Sequence, residues 1–402
     1  MKNNFFEDLS QRGLIYQKTE GIANVFDKKT TLYWGIDLTG GSLHLGHLLG
    51  LITLKRAIKY KHFPIVLVAS GTTMVGDPSG KDKERPILPK ETIRKNKDLI
   101  AAQIKNILGA EKFLILDNYD WLKNLKILEF LSEVGKFIPI NTMLEKEAVK
   151  TRMQKEQGIS FAEFSYQLLQ AFDFYYLFKN YNCLVQMGGS EQWGNIVQGI
   201  ELIRKKIDGQ AYGFSFPLII DPKTGKKFGK TESGKTIWLD RSKTPPFEFY
   251  QFFINVSDEL IPTFIRLFSL KDLVQIKELE NSWQKNKETR LLQKELAFEL
   301  TSLVFGLTDA KQAKKVSEIL FEKSDQKLFI SDLEFIRNSI PHQEIKDENF
   351  SLEEVLVQNG LCPSKGQARK LINQKGVTIK KYFDKYFLVK KGKKEYLILI
   401  KK

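Results

Sequence analysis

Cysteine is nearly absent, with only Cys183 and Cys362 in 402 residues. They are far apart and sit in apolar contexts, which argues against a disulfide framework or a paired-cysteine metal knuckle. Histidine is almost as scarce, with four in the chain. No apolar run approaches the roughly 18–20 residues that a membrane-spanning helix needs. The N-terminal segment Met1–Asp8 has neither a long apolar core nor a cleavage pattern, so no secretory signal is read there. Acidic charge is also in deficit: 63 Lys and Arg outweigh 48 Asp and Glu, for a net charge of +15. Together these absences set the expectation of a cytoplasmic protein without a structural metal.

What is present is ordinary globular material, 42% hydrophobic and 28% charged, enough for two to three domains. The basic excess is concentrated at the C-terminal end. Residues 350–402 hold thirteen Lys and Arg against four acidic residues, a net of +9. Tyr382, Phe383, Tyr386, Phe387 and Tyr396 are interleaved with them, so the segment can fold. A small nucleic-acid-binding unit is expected there.

Short apolar runs alternate with helical patterns over the first ~220 residues. Expected strands are Leu32–Asp37, Ile65–Ala69, Phe113–Leu116, Leu184–Met187 and Phe216–Ile220. Expected helices are Leu45–Tyr60, Glu91–Leu108, Leu122–Val134, Ser160–Phe178 and Glu191–Ile207. This order predicts a Rossmann-type doubly wound parallel sheet, which binds ligands beyond the carboxyl ends of its strands. Residues 245–325 change to helical spacing throughout. Residues 326–349, with Pro341, read as a linker, and 350–402 as a small α+β unit.

Several side-chain groupings carry candidate chemistry. His44-Leu45-Gly46-His47 follows the turn Thr39–Ser42 and opens a helix. A helix N-terminus offers free N–H groups to phosphate, and two imidazoles add donors there. A zinc pair or two solvated histidines are the alternatives. Tyr33, Gly35 and Asp37 alternate along the first strand and share a face. Tyr166, Gln170 and Asp173 share one face of a largely apolar helix, as an amino-acid pocket or an internal hydrogen-bond network. Gly71–Lys81 is a glycine-rich loop without Walker spacing. Gly188-Gly189-Ser190-Glu191-Gln192-Trp193-Gly194-Asn195 pairs close backbone approach with a carboxylate suited to a ribose diol. Lys227-Phe228-Gly229-Lys230-Thr231 lies in a polar, lysine-rich loop that could cover a triphosphate.

In this order and spacing, the set resembles the class I aminoacyl-tRNA synthetases, and within them the bacterial-type tyrosyl enzymes, from about Gly13 to Lys402. His44–His47 is similar to the first signature of that class, and Lys227–Thr231 to the second. The resemblance implies activation of tyrosine with ATP and its transfer to tRNA(Tyr), with magnesium accompanying ATP and a homodimer as the assembly. It implies tyrosine contacts from Tyr33, Asp77, Tyr166, Gln170, Asp173 and Gln192. It implies ATP contacts from Gly35, Asp37, His44, His47, Gly189, Glu191, Lys227 and Lys230, with Thr39 and Thr231 assisting catalysis. Lys81 and Arg85 would meet pyrophosphate or the tRNA acceptor end. Lys365, Arg369 and Lys370 would meet RNA from a domain of the ribosomal-protein S-four type. The implied division is a catalytic domain over 1–225, a signature-loop linker over 226–244, a helical anticodon-binding domain over 245–325, a linker over 326–349 and the RNA-binding domain over 350–402. The homodimer interface is implied near Phe137–Phe164. Four positions depart from the usual pattern: Trp34 stands in place of a small residue, Leu38 of proline, Gly50 of threonine and Glu191 of aspartate.

Overall fold

The computed structural model of the chain describes residues 4–79, 86–110, 112–154, 158–220, 234–322, 327–346, 348–392 and 395–402. The chain divides into two compact units. One takes residues up to Leu239 together with Thr263–Glu278, and the other takes Asp240–Pro262 and Leu279–Lys402.

The first unit is built on a six-stranded sheet. Its strands are β1 (Gln17–Lys18), β2 (Thr31–Ile36), β3 (Phe63–Val68), β4 (Leu114–Asp117), β5 (Cys183–Gly189) and β6 (Tyr212–Phe216), in spatial order β1-β6-β5-β2-β3-β4. All neighbours are parallel except the antiparallel edge pair β1 and β6. The chain winds outward in opposite directions from the β2–β5 boundary, where Tyr33 pairs with Gln186 and Trp34 with Met187. Such a reversal leaves a crevice beyond the strand ends. This agrees with the fold class expected from the alternating pattern.

Strand alternation sends neighbouring residues of β2 to opposite faces. The Tyr33 ring lies 5.3 Å from Phe174, on the helix Phe161–Tyr181. Trp34 instead meets Gly50, on the helix Leu45–Lys59. Apolar burial fixes both faces: Ile65, Leu67, Phe174, Leu177 and Leu202 share one core with Tyr33. Two buried arginines secure a later return of the chain. Arg12 donates to the carbonyls of Arg266, Ser269 and Lys271, and Arg56 to those of Leu267 and Ser269. Taking a charged group out of water costs several kcal/mol. These carbonyls, at the negative end of the helix Ile261–Phe268, offset that cost.

The second unit contains the helices Pro246–Ile254, Leu291–Phe305 and Leu307–Phe321, with Phe249 in edge contact with Phe305. It also holds a sheet of β7 (His342–Ile345), β8 (Val377–Tyr382), β9 (Tyr386–Lys391) and β10 (Glu395–Lys401), ordered β7-β10-β9-β8. The helices Leu352–Gln358 and Lys365–Asn373 carry Leu356 and Ala368 into a core with Val389, Leu397 and Leu399.

Three local expectations need correction. The strand expected at Phe216–Ile220 is β6 at Tyr212–Phe216, because Pro217 has no N–H with which to continue the ladder. The single helix expected over Leu122–Val134 is broken into Tyr119–Leu122 and Ile127–Glu133. Asn124 sits in the break and donates to the Asp120 carbonyl at 3.2 Å. The stretch 326–349 carries the helix Ile330–Ile336 and the strand β7, which pairs in parallel with β10. His342, Gln343 and Glu344 are polar and give β7 no apolar signature.

Candidate active site

A cavity of about 740 Å³ opens at the carboxyl ends of β2 and β5. Tyr33, Gly35, Asp37, His44, His47, Asp77, Tyr166, Gln170, Asp173, Gly189, Glu191 and Gln192 all line it. Residues spread over some 160 positions of sequence thus converge on one crevice.

On the Tyr33 face, the helix Phe161–Tyr181 is started by Ser160, whose hydroxyl accepts from the Glu163 amide. Its polar stripe is buried. Asp173 is held at both oxygens: Asn118 Nδ2 donates to Oδ2 at 2.9 Å and Trp121 Nε1 to Oδ1 at 2.8 Å. Burial nevertheless pushes its carboxyl up to about 7, because desolvation outweighs these two donors. The Tyr33 hydroxyl is buried with no hydrogen-bond partner. Burial first, then the Asp173 charge, holds its pKa well above the ordinary phenol value, so it remains a donor. A vacant donor beside a held carboxylate suits a ligand carrying a hydroxyl.

A second network lies toward the cavity mouth. Gln192 Nε2 donates to Asp77 Oδ2 at 2.7 Å, and the Ser79 amide donates to Asp77 Oδ1 at 2.9 Å. Asn195 Nδ2 donates to Gln170 Oε1 at 3.0 Å, and Gln170 Nε2 to Gln192 Oε1 at 3.3 Å. The Tyr166 hydroxyl donates to Asp37 Oδ1 at 3.0 Å. Burial, with Asp37 and Asp77 adding to it, raises the Tyr166 phenol well above its usual value. Asp77 and Asp37 together make this end a cation-binding environment. A Cβ on Gly35 would meet nothing within 4 Å, so the strand backbone faces open cavity there.

The histidine motif behaves differently from its expected role. The first-turn amides of the helix Leu45–Lys59 are already engaged. Leu45 N–H donates to the Ile237 carbonyl, Gly46 N–H to His44 Nδ1, and His47 N–H to the His44 carbonyl. His47 Nδ1 in turn accepts from the His44 amide at 3.1 Å. The two imidazoles form the capping box themselves. Each Nδ1 accepts, so each neutral ring carries its proton on Nε2. Burial, and then His44, lower the His47 pKa well below its ordinary value, keeping that ring neutral. What this turn would offer an anion is therefore an imidazole Nε2–H rather than the backbone.

Other expected residues lie elsewhere. Thr39 is exposed and does not line the cavity. Lys81, Arg85, Lys227, Lys230 and Thr231 fall outside the described residues. Lys365, Arg369 and Lys370 are exposed on the helix Lys365–Asn373 of the second unit, with Lys365 paired to Glu354 at 2.7 Å. Leu38, where proline was the usual residue, uses its amide to donate to Thr73 Oγ1 at 2.8 Å.

Sequence reasoning missed Asn118, Trp121 and Lys146. Asn118 and Trp121 follow β4 directly, so the rule that ligands gather beyond strand ends was the available signal. Lys146 gave none. Its Nζ is buried without a hydrogen-bond partner, and burial lowers it to about 7 against the pull of Asp77.

A doubly wound sheet with paired histidines at its switch-point crevice is the arrangement that the class I synthetase resemblance implies. The comparisons agree. Residues 26–322 match the family described as tRNA synthetases class I (W and Y). Residues 332–399 match the tyrosine–tRNA ligase SYY-like C-terminal domain. The chain belongs to the class I tRNA synthetases of the tryptophan and tyrosine group. It is 42% identical over 383 residues to a tyrosine–tRNA ligase of Roseiflexus castenholzii, covering 93% of this chain and 90% of the relative. It is 39% identical to that of Staphylococcus saprophyticus, covering 99% of each. Among solved structures, a C-terminally truncated mitochondrial tyrosyl-tRNA synthetase of Aspergillus nidulans superposes with a TM-score of 0.73 at 29% identity, covering 80% of this chain and 95% of that one.

Proposed function

We propose that the chain joins L-tyrosine to ATP, giving tyrosyl-adenylate and pyrophosphate, and then transfers tyrosine to the 3′-terminal ribose of tRNA(Tyr). The observation that carries the amino-acid choice is the buried Asp173 carboxylate beside the partnerless Tyr33 hydroxyl. A phenolic hydroxyl donates to the former and accepts from the latter.

Asp77, with Tyr166 and Gln170, takes the α-ammonium group, and Gln192 assists. The substrate carboxylate is already ionised near neutral pH, so its attack needs no general base. A carboxylate oxygen bonds to the α-phosphorus as the bond to the bridging oxygen of pyrophosphate breaks. Positioning and charge stabilisation drive such an in-line step. His44 and His47 supply neutral Nε2–H donors to the phosphates. Lys227, Lys230 and Thr231 take the leaving pyrophosphate, and Thr39, outside the cavity, would reach it only at its edge. Gly35, Asp37, Gly189 and Glu191 surround the nucleoside. Lys81 and Arg85 serve pyrophosphate or the acceptor end, and Lys365, Arg369 and Lys370 serve tRNA.

Among the described residues, no group of three or more His, Cys, Asp or Glu side chains gathers as a metal cage. Magnesium would therefore enter on ATP, held mainly by phosphate oxygens. The exposed side chains of Ile127, Leu128, Leu131, Ile140 and Phe161 support a homodimer through this region. Among the described residues, no helix is long and apolar enough to cross a membrane. A cytoplasmic enzyme completes the reading.

ATP–pyrophosphate exchange, measured with each amino acid in turn, tests it. Exchange with tyrosine alone is expected. Exchange with tryptophan in its place, or with no amino acid, would sink the reading.

A further inference from the structure

The backbone just before His44 is held from two directions. Leu43 N–H donates to Gln103 Oε1 at 2.8 Å. The Leu43 carbonyl accepts from Leu239 N–H at 2.9 Å. The turn that leads to it is anchored too. Asn96 Nδ2 donates to the Leu38 carbonyl at 2.8 Å, and Gln103 Nε2 to Ser42 Oγ at 3.2 Å. Asn96 and Gln103 belong to the helix Lys90–Leu108 and stand about two turns apart on one face of it. That helix lies directly against the turn, since a Cβ on Gly41 would come 3.2 Å from Asn96 Oδ1 and from Leu99 Cδ1. Neither Asn96 nor Gln103 lines the cavity.

The histidine rings hang on the peptide that Gln103 helps to hold. The His44 amide donates to His47 Nδ1 at 3.1 Å, which restrains that ring. The His44 ring is tied one residue further on, where Nδ1 accepts from Gly46 N–H at 3.1 Å. Tilting the Leu43–His44 peptide would therefore turn the His47 imidazole and move its Nε2. Leu43 is fully buried, so water cannot take the place of the Gln103 oxygen.

We propose that Gln103 is a positioning residue for the histidine pair: its amide oxygen, acting through the Leu43 amide, holds the His44 and His47 rings in the attitude in which they meet the phosphates of ATP. The inference rests on the synthetase reading above. Asn96 secures the start of the same turn, farther from the rings, and plays the smaller part.

The test compares Gln103→Met with Gln103→Glu in the full-length chain. Met matches Gln in length and helix propensity but brings no strong acceptor. Glu keeps an acceptor for the Leu43 amide, and the Ser42 hydroxyl can donate to it as well. Misplacing the rings by up to an ångström should lower kcat for tyrosine-dependent ATP–pyrophosphate exchange by about 10- to 100-fold in Gln103→Met. Tyrosine affinity without ATP should stay within about twofold, because the contacts at Asp173 do not pass through this turn. Gln103→Glu should restore most of kcat. A second reading needs no turnover. The chain has four histidines, so their ring C–H signals can be followed one by one by NMR. In Gln103→Met the signals of His44 and His47 should move. Those of His62, packed against Phe5 and Phe26, and of His342, in β7, should stay.

Unchanged kcat in Gln103→Met would overturn the proposal. Equal losses of kcat and tyrosine affinity would do the same, because they mark a general loosening. So would a Gln103→Glu variant as impaired as Gln103→Met, or movement of all four histidine signals together. If Gln103→Met binds no tyrosine and has lost its fold, Gln103→Asn decides on the same readings, because it keeps the amide and withdraws it by one methylene. Lost kcat with tyrosine affinity kept supports the link, and unchanged kcat overturns it. Absence of tyrosine-dependent exchange in the unaltered protein would remove the synthetase reading itself, and the histidine signals would still judge the link from Gln103 to the rings.

Discussion

Replacing Tyr33 with phenylalanine should move stability and selectivity in opposite directions. In the free protein the Tyr33 hydroxyl is buried and has no hydrogen-bond partner. A buried, unsatisfied polar group costs about 1–3 kcal/mol. Tyr33→Phe removes the oxygen and keeps the ring against Phe174, so the unliganded protein should gain up to about 1 kcal/mol. In the proposed complex with tyrosine, the same hydroxyl would donate to the substrate's phenolic oxygen, while the phenol would donate to Asp173. The carboxylate has acceptor capacity left after Asn118 and Trp121. Losing the Tyr33 donor removes a neutral hydrogen bond of about 1 kcal/mol, roughly a fivefold loss in tyrosine-over-phenylalanine preference. Urea unfolding without ligand measures the first effect, and exchange kinetics with both amino acids the second. A destabilised variant would mean that the hydroxyl has a partner in the free protein. Unchanged selectivity would place it outside the substrate's reach.

The remaining tests address the carboxylate, the signature loop and the C-terminal sheet. Asp173, pushed up to about 7, should make kcat/KM for tyrosine fall below that pH by up to about tenfold per unit. A profile flat from pH 7 to 5.5 would contradict an ionised acceptor. The same shift acts on folding with the opposite sense. A carboxyl raised in the folded state stabilises fully below its unfolded value of about 3.9 and loses that contribution as pH rises through about 7. Asp173→Asn should therefore flatten this part of the stability curve without ligand, and persistence of the slope would assign it to another group. Lys230→Ala should cripple exchange while leaving tyrosine affinity nearly intact, and near-normal exchange would remove the loop from the chemistry. Deleting the C-terminal sheet should spare exchange and weaken tRNA charging, with less salt dependence of RNA affinity. The cut should precede β7, because β7 pairs with β10; charging that survives unchanged would refute an RNA-binding role.

What could be read from sequence was what depends on local period. β2 and the helix Phe161–Tyr181 announce themselves by alternation and helical spacing, so Tyr33, Tyr166, Gln170 and Asp173 could be assigned to faces in advance. The partners of Asp173 could not. Asn118 and Trp121 lie 55 and 52 residues away in sequence, and nothing in their spacing connects them to it. β7 was hidden for a different reason. Its residues are polar and its place is set by backbone pairing to β10, which leaves no trace in a hydrophobic pattern. The end of β6 could have been read, since Pro217 marks it, but the apolar residues after the proline drew the expected strand too far.

The histidine pair shows how a correct motif can carry a wrong physical reason. Scarcity and spacing single out His44 and His47, and a helix N-terminus ordinarily offers its amides to phosphate. Here the amides of Leu45, Gly46 and His47 are engaged by Ile237, by the His44 ring and by the His44 carbonyl. Using each Nδ1 as an acceptor has two consequences. It fixes the tautomer, so each ring carries its proton on Nε2. It also restrains the rings relative to the backbone, with their centroids 3.9 Å apart. A donor held in place before charge develops stabilises it without reorganisation. The cap and the proposed donor are thus the same imidazole, so removing either ring would disturb the helix start as well as the proposed phosphate contact. For that reason a substitution at His44 or His47 cannot by itself separate catalysis from folding, whereas Tyr33 and Asp173 lie away from the helix start and can be tested with the amino acid alone.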